Sequence, residues 1–191
     1  YREISQRLRD RGFVPATAPN GNLQRQTWRL REERVTIDFL IGPIPDGPAP
    51  GRLQSLEADF AAIVTPALPL AFMDTLDVLI ESETLDGELA RRSVRVAGPA
   101  AFVALKAHAF RGRGEDKDAY DLVYVLLNYG DPPFAEVAAR FASFADRPEA
   151  GEALAILAED FASENHLGPM RRATFLDGRA DVSLRQDAFA V

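Results

Sequence analysis

The polarity pattern changes once along the chain, near residue 98. Ahead of it, apolar residues alternate with polar ones in short runs broken by Pro and Gly. A helix over residues 1–11 is predicted first, with Tyr1, Ile4 and Leu8 on one stripe and Gly12 as its stop. Residues 13–22, with Pro15, Pro19 and Asn20-Gly21, read as loop. Leu23–Leu30 and Val35–Ile41 then alternate as strands around an Arg-Glu-Glu-Arg tip. A Glu32-Glu33 turn sets Trp28 opposite Ile37 and Leu30 opposite Val35. One face then carries Trp28, Leu30, Val35, Ile37, Phe39 and Ile41 as core, and the other carries Arg25, Thr27, Arg29, Thr36 and Asp38. After a Pro/Gly-rich loop over 42–51, residues 52–63 carry a weak helical spacing through Leu53, Leu56, Phe60 and Ile63. Two more strands, Thr75–Thr84 and Ala90–Val96, flank an Asp86-Gly87 turn.

From Pro99 onward the period is helical. Helices are predicted near 99–111, 115–129, 133–145 and 148–165, with a last one after Asp181. The expected architecture is α+β: a small mixed sheet unit over 1–97 and a helical bundle over 98–191.

Composition narrows the function classes. The 191 residues carry a formal charge of −7, which disfavours a protein that wraps duplex DNA. No cysteine is present, so thiolate chemistry and Cys-ligated metals are excluded. No apolar run is long enough for a membrane span and no signal peptide is visible, so a cytoplasmic protein without membrane contact is expected. The two histidines give little support to a His-based metal site or a Ser-His-Asp triad. His108 reads as a packing residue and His166 as a cap at a helix C-terminus.

The candidate chemistry lies where the lysines are. Lys106 and Lys117 are the only two in the chain, against twenty arginines. In so arginine-rich a sequence, a retained Lys marks a place where a compact ammonium is needed. Lys106 leaves an apolar helical stripe of Phe102, Val103, Ala109 and Phe110, and such a cation requires an anion. Asp118 and Asp121, three apart on the next helix, supply acids. This is either a structural ion-pair network or an anion site. Arg111 and Arg113, set among Gly112 and Gly114, extend the second reading toward a phosphate cradle. A Lys106 ammonium sealed in a dry bridge would not serve that role.

The run Val-Ala-Gly-Pro-Ala-Ala-Phe-Val-Ala-Leu-Lys-Ala-His-Ala-Phe-Arg-Gly-Arg, followed by Asp-Lys-Asp-Ala-Tyr-Asp-Leu, resembles the nucleotidyltransferase-like family that includes AbiEii-type toxins. The resemblance is specific over 94–127 and weaker over 35–41, where Val-Thr-Ile-Asp38-Phe-Leu is similar to the family's later acidic strand. It implies transfer of a nucleotide from an NTP to a hydroxyl of RNA, protein or a small molecule, in a toxin–antitoxin or phage-defence setting with an antitoxin protein as partner. It also implies Mg²⁺ held by carboxylates, with cations on the triphosphate. On that basis Asp38 is a metal carboxylate and, with Lys106, catalytic. Lys106, Arg111, Arg113 and Lys117 bind nucleotide, and Asp118 and Asp121 hold these cations from behind.

Asp38 has a second reading as the ion-pair partner of Arg25 or Arg29. The family's first motif, a Gly-Gly or Gly-Ser turn followed by Asp-x-Asp or Asp-x-Glu, is not among residues 1–191. Glu81-x-Glu83 has the spacing but reads as a solvated strand face. The expectation is that the motif lies upstream of Tyr1, or that the chain is a catalytically degenerate binding or regulatory module on the same scaffold.

Overall fold

The computed structural model describes residues 1–30, 35–84, 86–178 and 181–189. The Arg-Glu-Glu-Arg tip and its Glu32-Glu33 turn lie outside them. The architecture is α+β, with small sheets first and helices after. It forms two compact units, Tyr1–Leu68 and Pro69–Val191.

In the first unit, helix α1 (Arg2–Asp10) precedes an antiparallel sheet in the order β1 (Phe13–Thr17), β2 (Leu23–Leu30), β3 (Thr36–Asp38). The register sets Trp28 opposite Ile37, as the alternation predicts, and the Leu30 N–H bonds the Val35 carbonyl at 3.0 Å. Residues 13–17 are strand rather than loop. Pro15 sits where the β1–β2 register shifts, a bulge on an edge strand that tolerates a missing N–H.

The second expected strand serves two sheets. Phe39 divides it, donating its N–H to Gln26 and accepting from Ile63 with its carbonyl. Beyond it, β4 (Leu40–Ile41) runs parallel to β6 (Ala61–Val64), which pairs antiparallel with β5 (Leu53–Ser55). The helical spacing read over 52–63 is therefore incidental. Ala61-Ala62-Ile63-Val64 is a short central strand, whose continuous apolar text carries no period. Trp28 and Phe60 are fully buried and meet edge to face at 5.7 Å, with Phe39 on Phe60 at 4.7 Å. Helix α1 is tied down by Ser5 Oγ donating to Glu57, and by Arg9, which lies over Trp28 and forks onto Asp59.

The second unit opens with the hairpin β7 (Thr75–Glu83) and β8 (Leu89–Ala97), then α2 (Pro99–Arg113), α3 (Asp116–Asn128), α4 (Ala135–Ala142), α5 (Pro148–Asp160), α6 (Leu167–Asp177) and α7 (Val182–Phe189). Helix α2 is central and packs against α3, α4 and α5, while α3 packs against α6. Its buried face is mostly alanine (Ala100, Ala101, Ala104, Ala107), which lets neighbouring helices approach closely. Gly114, at φ 65°, ends α2 in the left-handed conformation and turns the chain into α3. His166 occupies the N-cap position of α6 rather than a helix C-terminus, with Nδ1 2.7 Å from Ser163 Oγ.

The start of α2 has no local cap. Gly98 is at the N-cap position and has no side chain to accept the first-turn N–H groups. Asp74, buried at the foot of β7, accepts them instead: its Oδ2 takes Ala100 N–H at 2.9 Å and Ala101 N–H at 3.1 Å. Its Oδ1 takes Arg140 of α4 at 2.8 Å. Gly98 is required here, because a Cβ would lie 2.2 Å from Asp74 Oδ1. Asp74→Ala should therefore lower the unfolding free energy by about 2–3 kcal/mol, through lost caps and an orphaned Arg140. Urea denaturation followed by circular dichroism measures it. A change near zero would show that the cap contributes nothing.

Candidate functional site

The α2–α3 elbow gathers five of the charged residues singled out from sequence. Lys106 sits two turns into α2 on the side that faces α3, and Asp118 and Asp121 share one face of α3. Lys106 Nζ donates to Asp118 Oδ1 at 2.9 Å and to Asp121 Oδ2 at 2.6 Å. Arg113, in the last turn of α2, forks onto Asp118 through Nε at 2.6 Å and Nη2 at 2.7 Å. Lys117 reaches Asp121 one turn along α3 at 2.6 Å. Three cations thus face two carboxylates.

Burial within the cluster is graded. The Asp118 side chain is 1% exposed and that of Lys106 17%, whereas those of Arg113 and Lys117 are 59% and 63% exposed. Lys106 also lies 5.5 Å from the centre of the Phe102 ring. The inner ion pair is structural in its geometry. The outer cations keep much of their surface in water and are the ones a solute can reach.

The charges set one another's ionisation. Burial pushes Asp118 toward the neutral form and is the largest single influence on it. Hydrogen bonds and charge from Arg113 and Lys106 together outweigh that, and hold its carboxyl below the ordinary 3.8. Asp121 is likewise opposed by burial and carried below 3.8 by Lys106 and Lys117. The hydrogen bond to Asp118 raises Arg113 above its usual value.

The remaining candidates lie elsewhere. Arg111 points to α5, bonding Glu159 at 2.7 Å and Asp160 at 3.0 Å. Gly112 lies inside the last turn of α2 with no heavy atom near the position of a Cβ. Asp38 belongs to the first unit, where it stands opposite Thr27 and accepts from the Thr27 hydroxyl. Arg25 bonds Ser55 and the Ala58 carbonyl, so the Arg25–Asp38 pair is not formed. Glu81 pairs with Arg91 at 2.8 Å on a solvated strand face. His108 Nε2 meets the Glu149 carbonyl at 2.9 Å, a packing contact. Among the described residues, no group of three or more His, Asp or Glu is placed to hold a metal ion. No helix among them is long and apolar enough to cross a membrane.

Sequence reasoning missed Asp74 and Arg140, which fix the start of the helix carrying Lys106. One signal was available: Gly98-Pro99 at a helix start calls for an acceptor from elsewhere in the chain. Which acid supplies it is a tertiary fact.

Small sheets followed by a helical unit, with a Lys-Asp-Asp-Arg elbow between α2 and α3, describe an α+β protein. Residues 2–189 match the family model of the nucleotidyl transferase AbiEii toxin, type IV toxin–antitoxin system, and the chain belongs to that family. No curated protein and no solved structure matches it.

The cluster makes stability dependent on acid. Both carboxyls are held below 3.8 in the folded chain, so the unfolded chain takes up protons first as pH falls. Their stabilisation is complete above that value and is lost as pH drops through the lower folded values. Asp118→Asn should reduce stability at pH 7 by about 2–4 kcal/mol and flatten the decline on acidification. Urea midpoints measured from neutral pH down through the carboxylate range test this. Parallel curves for the two proteins would refute it.

Proposed function

We propose that this chain is a nucleotidyltransferase toxin that transfers a nucleotide from an NTP to a hydroxyl acceptor, with a companion antitoxin, in the cytoplasm. The observation that carries the reading is the three-cation, two-carboxylate elbow in a chain that matches the AbiEii family model over nearly all its length. In the reaction an acceptor oxygen bonds the α-phosphorus and the bond to the β-phosphate breaks. Pyrophosphate leaves, and the hydroxyl proton passes to solvent or to a base.

The elbow contributes charge for the phosphates. Lys117 and Arg113 are the accessible contacts for triphosphate oxygens. Asp118 and Asp121 orient them, and Lys106, committed to both acids, fixes the two helices at one spacing. Asp38 is the carboxylate proposed for the metal. The family implies a divalent ion such as Mg²⁺, but the described residues alone do not make a ligand set for one.

A second reading is a catalytically degenerate binding or regulatory module. The bonding of Lys106 to two carboxylates favours it. Calorimetric titration of the full chain with ATP, GTP, CTP and UTP in Mg²⁺ separates the outcomes. At least one NTP should bind, and Lys117→Ala should weaken it about tenfold, roughly 1.4 kcal/mol, with the melting temperature unchanged. Absence of heat with every NTP would sink the transferase reading. Binding without pyrophosphate release in the presence of RNA or protein acceptors would select the module.

A further inference from the structure

Three aromatic side chains meet beside the elbow, across α3 and α6. The Tyr120 ring lies 4.8 Å from Phe175 at a tilt of 30° and 5.7 Å from Tyr124 at a tilt of 37°. Both pairs are closer to offset stacking than to edge-to-face contact. The outer two, Tyr124 and Phe175, are 52% and 44% exposed, so both keep ring surface that the contact of α3 with α6 does not cover.

Cations stand at one end of this row. Lys117, Tyr120 and Tyr124 fall at i, i+3 and i+7, on one stripe of α3. Arg113 of the elbow lies behind Lys117, both bonded to the acids of α3. Arg171, one turn before Phe175 on α6, bonds Asp116 at 2.9 Å and keeps 45% of its side chain in water. Past these positions the charge stops: residues 118–128 of α3 and 173–177 of α6 contain no Lys or Arg.

We propose that this row is the base end of the nucleotide site, with the nucleobase of the NTP stacking on Tyr124 and Phe175 while its phosphates lie on Lys117, Arg113 and Arg171. The proposal rests on the nucleotide reading above and names the residues that recognise the base. The rise from Lys117 to Tyr124 is about 10 Å, a span that a triphosphate and a ribose can bridge. A strand of RNA suits the surface less well. It brings a phosphate with every base and needs a basic track running beside the rings, whereas these cations are gathered at one end.

The nearby amide and hydroxyl are already engaged. Asn128, one turn past Tyr124, donates Nδ2 to the Tyr124 carbonyl at 2.8 Å, and Thr174 Oγ1 donates to the Met170 carbonyl at 2.9 Å. Recognition then comes from ring overlap, which favours the larger purines over pyrimidines.

Calorimetric titration of the full chain with the four NTPs and with inorganic tripolyphosphate, all in Mg²⁺, tests this. ATP and GTP should bind tighter than CTP and UTP, and every NTP tighter than tripolyphosphate. Tyr124→Leu keeps a strong helix former on an exposed face. It should weaken ATP about tenfold and leave tripolyphosphate unchanged. Phe175→Leu should do the same from the other helix, and Tyr124→Phe should bind ATP as the parent does. Lys117→Ala should weaken ATP and tripolyphosphate alike.

ATP binding that survives both leucine substitutions overturns the proposal and leaves the nucleotide reading standing. Tripolyphosphate binding as tight as every NTP overturns it too, as an anion site without a base site. No binding of any NTP removes the nucleotide reading and this proposal together. Binding of a single-stranded oligonucleotide that Tyr124→Leu abolishes, with ATP unaffected, would give the rings to RNA instead.

Discussion

Asp118 is a carboxylate with almost no access to water, and much of the α2–α3 elbow follows from keeping it ionised. An isolated buried anion would neutralise itself or destabilise the fold by several kcal/mol. Here Lys106 and Arg113 approach it from two points on α2, and their bonds overcome the desolvation that favours the neutral acid. The elbow geometry is thereby set. Gly114 must turn the chain at the end of α2, and the alanine-rich face of α2 must let α3 approach closely enough for the ammonium to reach. Asp74 fixes the other end of α2 with a second buried carboxylate. The helix that carries Lys106 is pinned at both ends by acids that lie outside it.

That arrangement divides the cations by task. A charge already matched by two carboxylates has little left for a phosphate, so Lys106 serves the scaffold. The half-exposed Arg113 and Lys117 remain on the rim, where charge is available at little desolvation cost. Structural network and anion site are therefore not exclusive readings of the same residues. The inner layer is a network, and the outer layer is the part that can meet a ligand.

Most of what was legible in the sequence was periodic. The helices after Pro99 other than α6 (Leu167–Asp177), the 75–97 hairpin and the Trp28–Ile37 register follow from the spacing of apolar and polar residues. The convergence of Lys106, Asp118 and Asp121 was also legible, since helical spacing and the cost of an unpaired cation both demand it. Three things were not. Pro15 hid an edge strand, because a bulge tolerates a residue that normally argues against pairing. Residues 61–64 are too short and too uniformly apolar to show a period. Asp74 and Asp38 depend on partners that only folding brings near: the start of α2 for one, Thr27 for the other.

The retained lysines can now be judged one at a time. At position 106 the ammonium meets two carboxylates on different turns of α3 from a single point, 2.9 and 2.6 Å away, in a space that leaves it 17% exposed. A guanidinium is planar and longer, and it would fork onto one acid as Arg113 does onto Asp118. Lysine is thus the residue this geometry requires. At position 117 the contact is a single bond to Asp121 one turn away, on an exposed helix face. Arginine could make that bond as well, so packing gives no reason for lysine there. What would single out Lys117 is something outside the protein that favours a compact charge, and phosphate oxygen is one such group.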